Sequence, residues 1–171
     1  MSRFGPTLGE RALLLGLAAQ LAVIVGMIID RVPSPALVNE SPSLPRGLYL
    51  RDWGAEPRRG SVVAFPQPAE ARPFLSRWGM PPEVLLIKRV AAAEGDAVCL
   101  RDGRLRTPAR LVPVRDRDRT GLALPRWSGC RRLDPGEVFL LGDTETSFDS
   151  RHFGPLRTEQ LTGVYREGMR W

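Results

Sequence analysis

The chain has 171 residues, of which 43% are apolar and 26% charged, and its formal net charge is +6 at pH 7. This length and apolar content predict one domain of ordinary size with a hydrophobic core. The basic residues are spread along the chain without a basic helix or a zinc-finger signature, which argues against a nucleic-acid partner. Because His152 is the only histidine and no Cys-x-x-Cys motif occurs, we expect no metal ion and no other cofactor.

An uncharged apolar segment lies near the N-terminus. Residues Ala12 to Ile29 carry no charge and are interrupted only by Gln20. As a helix this segment would span about 27 Å, close to the hydrocarbon core of a bilayer. We therefore predict a transmembrane anchor helix over residues 12–30, which a capping-box pattern, Thr7-Leu8-Gly9-Glu10, precedes. A cleaved signal peptide is the alternative, but the segment is long for one and no small-x-small site ends it.

The flanking charges orient this segment. Arg3 and Arg11 precede it, whereas Arg31 follows it. By the positive-inside rule, residues 1–11 are predicted to be cytoplasmic. Residues 31–171 would then form an exported domain, in the periplasm if the cell is bacterial, anchored to the inner membrane by a single pass.

The first polar segment of interest runs from Asn39 to Tyr49. Pro42 and Pro45 fix backbone angles and remove donors, so this segment cannot be a regular helix and suits a central strand poorly. A rigid irregular segment of this kind can hold a serine and its own amide in one orientation, as an oxyanion site requires. An ordinary proline-rich linker is the alternative interpretation.

Short apolar segments bounded by Gly, Pro and Asp recur further along the chain and predict strands. Many short strands with turn residues between them favour an all-β domain, either a barrel or paired antiparallel sheets. The predicted strands are Ser61–Phe65, Val84–Ala93, a hairpin over Ala97–Arg106 that turns at Asp102-Gly103, Glu137–Leu141 and Leu161–Arg166.

The segment from Pro66 to Pro82 does not fit a strand. It contains five prolines and is predicted to be a proline-rich loop. Its apolar residues, among them Phe74 and Trp78, alternate with arginines, so the loop could rest in the headgroup region of a bilayer. The alternative is that it folds these apolar groups back onto the domain. A second polar segment, Arg115 to Arg119, alternates arginine with aspartate and predicts a solvated surface turn.

Lys88 is the only lysine among the 25 basic residues, and it lies within the apolar strand predicted over 84–93. Arginine stays protonated at any pH that a protein meets, whereas a buried ammonium can lose its proton and become a general base. Strand alternation places Lys88 on the same face as Leu86 and Val90, a face that can exclude water. A single outward-facing lysine is the alternative.

Two cysteines, Cys99 and Cys130, lie far apart in the sequence. In an exported domain they could form a disulfide, and two buried free thiols are the alternative.

The segment Gly142 to Arg151 follows the strand predicted over 137–141 and is dense in hydroxyls and carboxylates. A base such as Lys88 would activate a serine hydroxyl, which is inert until a neighbour takes its proton. The alternative is a polar loop that an ion pair between Asp149 and Arg151 holds in shape.

The segment from Asn39 to Tyr49, the strand that contains Lys88 and the segment from Gly142 to Arg151 together resemble the serine/lysine signal peptidases of the S26 family. Ser43-Leu44-Pro45 resembles the nucleophile box, and Lys88-Arg89-Val90 with Gly95-Asp96 resembles the lysine box. Gly142-Asp143 with the segment from Ser147 to Arg151 resembles the last box. The resemblance extends over the whole predicted exported domain and implies a signal-peptidase-like barrel.

Within that family the chain resembles the TraF-type peptidases of conjugative transfer systems. The pattern Asn39-x-Ser41-x-Ser43-x-Pro45-x-Gly47-x-Tyr49 and the segment from Ser147 to Pro155 carry this resemblance. The chain departs from general leader peptidases, because it has no large inserted domain and Leu44 replaces the usual methionine.

The resemblance implies a role for each matched residue. Ser43 would be the nucleophile and Lys88 the general base, and Ser41 would form the oxyanion hole with the Ser43 amide. Ser147 would orient the lysine amine, and Asp149 with Arg151 would form a supporting ion pair. In the TraF-type branch the aspartate can also act directly, which leaves its role open.

The expected function is that of a membrane-anchored serine endopeptidase. Its substrate, by the same resemblance, would be an exported precursor, a conjugative pilin, which docks as an added strand near residues 84–88. Water or the pilin's own amino terminus would complete the reaction, the latter giving a cyclic product. A signal peptidase of broad specificity is one alternative, and a non-catalytic membrane-anchored assembly protein is another.

Overall fold

The structure, a computed structural model, describes residues 8–29 and 33–171. The chain divides into two compact units, one that ends at Ser34 and one from Pro35 to Trp171.

The N-terminal unit contains helix α1, Leu8–Ile29. Leucine and alanine, which have high helix propensity, fill much of it, and no proline interrupts it. In the part of the chain that the structure describes, no helix is both long and apolar enough to cross a membrane, contrary to the anchor predicted over residues 12–30. The predicted capping residue Thr7, the flanking Arg3 and Arg31, and the end of the predicted anchor at Asp30 lie outside the described residues.

The second unit is mainly β, as predicted. Short apolar segments separated by Gly, Pro and Asp form most of its strands, because turn residues interrupt these segments before they can lengthen. In chain order the strands are β1 (Ala36–Asn39), β2 (Gly47–Arg51), β3 (Val62–Phe65), β4 (Leu86–Ala92), β5 (Ala97–Arg101), β6 (Arg104–Arg106), β7 (Leu111–Pro113), β8 (Cys130–Arg132), β9 (Glu137–Leu141), β10 (Leu156–Arg157) and β11 (Gly163–Arg170).

Two antiparallel sheets result. The larger has the order β1-β2-β11-β3-β4-β9-β10, and the smaller has the order β7-β6-β5-β8. The larger sheet begins at β1 and ends at β10, so the predicted barrel is instead an open sheet with a smaller sheet beside it. Strand β4 lies inside the larger sheet, where it pairs with β3 and β9. Lys88 is thereby placed opposite Val63 on the neighbouring strand.

The larger sheet is buried on both faces, and one of its hydrophobic cores lies on the face that carries Lys88. Leu86 and Val90 from β4 pack there with Val63 and Phe65 from β3 in one cluster of buried side chains. Alternation along β4 gives Lys88 the same orientation as Leu86 and Val90, as predicted. The lysine amine is therefore surrounded by apolar groups, which lowers the stability of its charged form.

Sequence signals located the long strands and the hairpin. The turn at Asp102-Gly103 connects β5 and β6, and both residues have positive φ angles, 49° and 70°. Such angles are those of the two-residue hairpin turn that this pair of residues favours. The predicted strands at 61–65, 84–93, 137–141 and 161–166 are confirmed as β3, β4, β9 and β11, with β11 extending to Arg170.

The proline-rich segment from Pro66 to Pro82 is only partly a loop. It contains helix α2, Arg72–Arg77, in which Pro73 occupies the first turn, the one place where a helix tolerates proline. Leu75 is buried in the main core, and both Phe74 and Trp78 contact Phe148. The apolar groups of this segment therefore fold back onto the domain, which is the second of the two predicted arrangements.

A second short helix, α3, spans Ser150–Phe153. It begins at Asp149, whose side chain accepts a hydrogen bond from the Arg151 amide and caps the helix. Because α3 directly follows the segment from Gly142, this cap fixes the position of the last predicted box relative to the end of β9.

Candidate active site

The serine segment after β1 and the lysine in β4 meet in one cleft. The Lys88 amine donates a hydrogen bond of 2.8 Å to the Ser43 hydroxyl, although 45 residues separate them in the chain. Ser43 and Lys88 are only 6% and 5% exposed. The two side chains predicted to act together are therefore within the distance at which a proton can pass between them.

Burial changes the acidity of Lys88. It lowers the pKa of the amine from 10.5 to about 8, and the nearby Asp149 and Arg151 act in opposite directions on it. The dominant cause is desolvation, because apolar neighbours do not replace the hydration that a charged ammonium loses on burial. At pH 7 about one molecule in ten would hold the amine in its neutral, proton-accepting form.

Ser41 extends this pair into a chain of hydrogen bonds. The hydroxyl oxygens of Ser41 and Ser43 are 2.7 Å apart, and the Ser41 hydroxyl donates to the side-chain oxygen of Asn39 at 2.9 Å. The amide of Ser43 makes no hydrogen bond to another residue in the described range 33–171. A free amide beside a serine hydroxyl is the pair of donors that an oxyanion site requires.

Asn39 is the residue of this site to which the sequence assigned no role. Its amide nitrogen donates to the carbonyls of Ser41, Leu44 and Pro45 at 3.0, 3.0 and 3.1 Å. Its side-chain oxygen also accepts from the Ser41 amide at 3.2 Å. Asparagine two residues before a serine is a typical local turn former, and this spacing was the signal available in the sequence.

The last predicted box is held by one ion pair. The guanidinium of Arg151 donates to both carboxylate oxygens of Asp149, each at 2.8 Å, and both side chains are fully or almost fully buried. The same guanidinium donates to the carbonyls of Thr144, Glu145 and Ser147. These bonds fold the segment around the arginine and place it against the cleft.

Asp149 is fully committed to this arrangement. Besides the two bonds from the Arg151 guanidinium, its carboxylate accepts hydrogen bonds from the Gly142 amide at 2.8 Å and from the Arg151 backbone amide at 3.2 Å. Four donors thus occupy the acceptor positions of one carboxylate, so the geometry fits a structural role.

Ser147 lies at the site, but its predicted contact with the lysine is not made. The Ser147 hydroxyl is buried and has no hydrogen-bond partner among the described residues. It faces Gly142, where an added Cβ would lie within 2.1 Å of the hydroxyl oxygen. The orientation of Ser147 toward Gly142 explains why the predicted hydrogen bond to Lys88 is absent.

Gly142 allows the two serine segments to approach each other. An added Cβ at Gly142 would also come within 2.9 Å of the Ser43 carbonyl oxygen, closer than real Cβ atoms approach. The next residue, Asp143, donates its amide to that same carbonyl at 2.5 Å. The Asp143 carboxylate pairs with Arg89, which follows the lysine, at 3.2 Å. The three boxes are thus connected directly to one another.

A cleft of about 550 Å³ contains this group of residues. Its lining includes Val38 from β1, the segment from Val84 to Lys88 that leads into β4, and Leu75 and Met80 from the α2 segment. The volume lies within the range of ligand pockets, and most of the lining is apolar. Ser43 and Lys88 also line it.

The two cysteines lie away from this cleft. Cys99 in β5 and Cys130 in β8 are paired across the smaller sheet and joined by a disulfide. Of the two predicted arrangements, the structure therefore contains the bonded one.

A mainly β domain with a serine hydroxyl and a buried lysine amine in one cleft has the constituents of a serine peptidase site. Residues 10–169 match the family model described as signal peptidase, peptidase S26, so the chain belongs to this family of serine peptidases. The resemblance stated from the sequence is confirmed.

Individual relatives narrow this class. The chain is 34% identical to a plasmid transfer protein TraF of Escherichia coli over 176 residues, which covers 95% of this chain and 92% of that protein. It is 32% identical to a second plasmid transfer protein TraF of Escherichia coli, with both chains covered completely. Within the family, the chain is therefore similar to the TraF-type branch.

Other similarities are more distant. Signal peptidase I V of Bacillus subtilis is 32% identical over 96 residues, which covers 49% of this chain and 57% of that protein. The solved structure of a signal peptidase I from Enterococcus faecalis has a TM-score of 0.40 and 22% identity, and covers 64% of this chain and 97% of that one.

Proposed function

We propose that this chain is a serine endopeptidase with Ser43 as nucleophile and Lys88 as general base. The observation that carries the proposal is the 2.8 Å contact between a buried lysine amine and a serine hydroxyl. Burial lowers the pKa of that amine to about 8, so a neutral base is available near physiological pH.

The first half of the reaction is acyl transfer. Neutral Lys88 accepts the hydroxyl proton while Ser43 Oγ bonds to the peptide carbonyl carbon, whose oxygen becomes an oxyanion. When the tetrahedral intermediate collapses, the carbon–nitrogen bond breaks and the Lys88 ammonium donates its proton to the departing amine. The product is an ester between Ser43 and the acyl part of the substrate, with the lysine again neutral.

The Ser43 amide and the Ser41 hydroxyl are the proposed donors to the oxyanion. In the resting geometry Ser41 donates its only proton to Asn39. To donate to the oxyanion the hydroxyl must rotate, and Asn39 tolerates this because the Ser41 amide still donates to the same oxygen. Loss of one such donor typically costs about two to three powers of ten in kcat.

The proposed supporting residues act by positioning. The ion pair of Asp149 with Arg151 holds the segment that packs Gly142 against the Ser43 carbonyl. Ser147 lines the same cleft with a buried hydroxyl that has no partner in the described residues. An orienting contact with Lys88 would require this hydroxyl to turn away from Gly142.

The proposed substrate is an exported protein precursor that binds as an extended strand. The segment around residues 84–88 borders the cleft, and β3 pairs with β4 only from Leu86 onward. Leu85 lies beyond the ladder, where an added strand could pair with its backbone. The backbone of Val84 already bonds to the Pro81 carbonyl and to the Gln67 side chain. The apolar lining of the cleft fits small or apolar substrate side chains.

The particular precursor proposed is a conjugative pilin. Two relatives that cover nearly the whole chain are named plasmid transfer protein TraF, which supports a role in conjugation. Attack on the Ser43 ester by water gives a linear pilin, whereas attack by the pilin's own amino terminus forms an amide and gives a cyclic one. Both reactions use the same base, because either nucleophile must lose a proton.

The proposed compartment is the bacterial periplasm. A disulfide joins Cys99 to Cys130. Disulfides persist in oxidising compartments and are rare in the cytosol of mesophiles. An exported catalytic domain would also meet precursors as they leave the cytoplasm.

The test combines the purified chain with the pilin precursor of the same transfer system, followed by intact-mass measurement of the products. Wild-type protein should cleave the precursor, and both Ser43→Ala and Lys88→Arg should be inactive while remaining folded. Retained cleavage by Lys88→Arg would exclude a lysine base, because arginine stays protonated. A cyclic product weighs one water less than the linear one, so the same spectrum separates hydrolysis from cyclisation.

A broad-specificity signal peptidase is the second candidate. The similarity to signal peptidase I V of Bacillus subtilis over half of the chain favours it. Cleavage of several unrelated exported precursors at comparable rates would support this candidate over the pilin peptidase. If Ser43→Ala left pilin maturation intact in cells, the chain would instead be a non-catalytic assembly protein.

A further inference from the structure

A second pocket lies directly beside the catalytic cleft. It has a volume of about 420 Å³, within the range of ligand pockets, and the proposed mechanism does not use it. Four residues line both spaces: Pro42, Trp78, Thr146 and Phe148. Because Pro42 is the neighbour of Ser43 in the chain, a polypeptide bound in the cleft would enter this pocket within a few residues of the scissile bond.

The wall between the two spaces is aromatic. Phe148 contacts Trp78 edge to face at 5.2 Å between ring centroids, and stacks on His152 at 4.9 Å. His152 is buried, and its Nδ1 lies 2.8 Å from the Pro125 carbonyl oxygen. Burial lowers the pKa of His152 below its ordinary value of 6.5, so this wall is uncharged at neutral pH.

Charged side chains also line the pocket, in the segment from Arg115 to Arg119. Its two aspartates are already engaged. Asp116 pairs with Arg126 at 3.1 Å. Asp118 accepts hydrogen bonds from Thr120 and Leu122 and one from the Trp78 indole at 3.1 Å.

The arginines of this segment differ in their use. Arg117 donates to the Gly121 carbonyl at 2.7 Å. Arg115 and Arg119 make no hydrogen bond or ion pair with any residue in the described part of the chain, and both are exposed and line the pocket. Glu145 also lines it, which reduces the positive charge without pairing with either arginine. Two guanidinium groups are therefore available to a ligand.

We propose that this pocket binds an acidic segment of the precursor polypeptide, close to its scissile bond, through Arg115 and Arg119. This inference rests on the proposed function for the identity of the polypeptide. Guanidinium groups pair with carboxylates in bidentate geometry, and the aromatic wall accepts the aliphatic part of a glutamate side chain. Continuity with the cleft makes the same chain the occupant, since one extended polypeptide would fill both spaces.

The test uses the full chain with Ser43→Ala, so that binding is measured without turnover. The probes are fluorescein-labelled Glu-Glu-Glu and Gln-Gln-Gln, followed by fluorescence anisotropy. We expect the acidic peptide to bind about tenfold more tightly than the neutral one at low salt, with the difference falling as salt rises. Arg115→Gln with Arg119→Gln should remove that difference, and Glu145→Gln should increase it.

The matched control removes two charges elsewhere. Arg101→Gln with Arg104→Gln changes two exposed arginines that flank the turn of the β5–β6 hairpin, and it should leave the difference between the peptides unchanged. Equal binding of the two peptides would overturn the proposal. An equal loss in the control variant would also overturn it, because the attraction would then come from net charge alone.

Two further arms separate the alternatives. If vesicles of phosphatidylglycerol bind through Arg115 and Arg119 while the acidic peptide does not, the pocket faces lipid and the proposal is wrong. With active enzyme, Arg115→Gln with Arg119→Gln should raise KM for the precursor about tenfold and leave kcat unchanged. Failure of the wild-type chain to cleave any precursor would contradict the proposed function, whereas failure of the Ser43→Ala chain to bind the acidic peptide would contradict this inference alone.

Discussion

The side-chain oxygen of Asn39 accepts hydrogen bonds from both the amide and the hydroxyl of Ser41, at 3.2 and 2.9 Å. Because the Asn39 amide nitrogen donates to three carbonyls of the same segment, the orientation of the side chain is fixed. The Ser41 hydroxyl must then donate toward Asn39 and accept from Ser43. Asn39 therefore positions the nucleophile through Ser41.

Replacement of Asn39 by aspartate tests this positioning role. The carboxylate can still accept from Ser41, but it loses the donors to the Ser41, Leu44 and Pro45 carbonyls and adds a negative charge near Lys88. We expect kcat to fall by about one to two powers of ten, since an unsatisfied buried polar group costs about 1–3 kcal/mol. The added charge should also raise the pKa of Lys88 and so move the rising limb of the pH–rate profile to higher pH.

Asn39→Ala serves as the control for charge. It should lower kcat similarly but leave the midpoint of the pH profile unchanged. An identical pH shift in both variants would argue against an electrostatic effect of the aspartate, and unchanged kcat in both would remove Asn39 from the site.

The pH dependence of the wild-type reaction follows from the base. Burial lowers the pKa of Lys88 to about 8, and only the neutral amine accepts the serine proton. The rate should therefore rise about tenfold per pH unit below pH 8 and level off above it. A stopped assay of precursor cleavage between pH 5.5 and 9.5 measures this limb. A profile that is flat across pH 8 would show that Lys88 is not the titrating base.

The burial that makes Lys88 a better base at neutral pH also destabilises the folded state. A lysine whose folded pKa is lowered binds fewer protons in the folded than in the unfolded state between about pH 8 and 10.5. Burial of the charged amine should thus lower the wild-type free energy of unfolding in full below pH 8, and this loss should disappear as the pH rises toward 10.5. Lys88→Met removes the charge and the hydrogen bond to Ser43. After allowance for the lost bond, we expect its free energy of unfolding at pH 7 to be about 2 kcal/mol higher than that of the wild type.

Urea unfolding at pH 7 and pH 10 compares the two proteins. The advantage of Lys88→Met should be largest at pH 7 and small at pH 10. Leu86→Met, a volume-conserving change on the same face of β4, provides a matched control without a charge. If Lys88→Met were less stable than the wild type at pH 7, the lysine would be better solvated than its surroundings indicate.

The ion pair in the last box is predicted to be structural. Asp149→Asn leaves the buried Arg151 guanidinium without its counter-charge and should lower the free energy of unfolding by about 3–5 kcal/mol. Thermal unfolding followed by circular dichroism measures this loss. Asp143→Asn, which breaks the half-exposed pair with Arg89, should cost about 1 kcal/mol or less. Equal losses in the two variants would contradict the special position of Asp149.

Some elements of the fold could be predicted from the sequence and others could not. Strands such as β4 and β9 were predictable because a long apolar segment ends at turn residues. β1 and β2 were not, since the prolines on either side of them conceal short strands that long-range pairing stabilises. β8 is exposed along its whole length, so no alternation marks it. Helix α2 depends on packing of Leu75 beneath it, which a proline-rich sequence does not indicate.

The site shows the same division. Ser43, Lys88 and the pair Asp149–Arg151 were recognisable because they stand in segments that resemble the boxes of the S26 family. Asn39 belongs to the pattern quoted from the sequence, but its positioning role was not predicted, because that role depends on which carbonyls the folded segment turns toward it. The orientation of Ser147 toward Gly142 was equally hidden, since it depends on how closely two segments approach that are distant in the sequence.

That close approach at Gly142 yields the last prediction. A methyl group there would meet the Ser147 side chain at 2.1 and 2.5 Å and the Ser43 carbonyl at 2.9 Å. Gly142→Ala should therefore push the serine segment away from Lys88 and lower kcat by at least about one hundredfold, as a misplacement of about 1 Å can. Removing the Ser147 side chain relieves the two closest contacts, so the double variant Gly142→Ala with Ser147→Gly should recover part of this loss relative to Gly142→Ala. Kinetics of Gly142→Ala, Ser147→Gly and the double variant measure the coupling. Losses that simply add would show that Gly142 acts through some route other than its contact with Ser147.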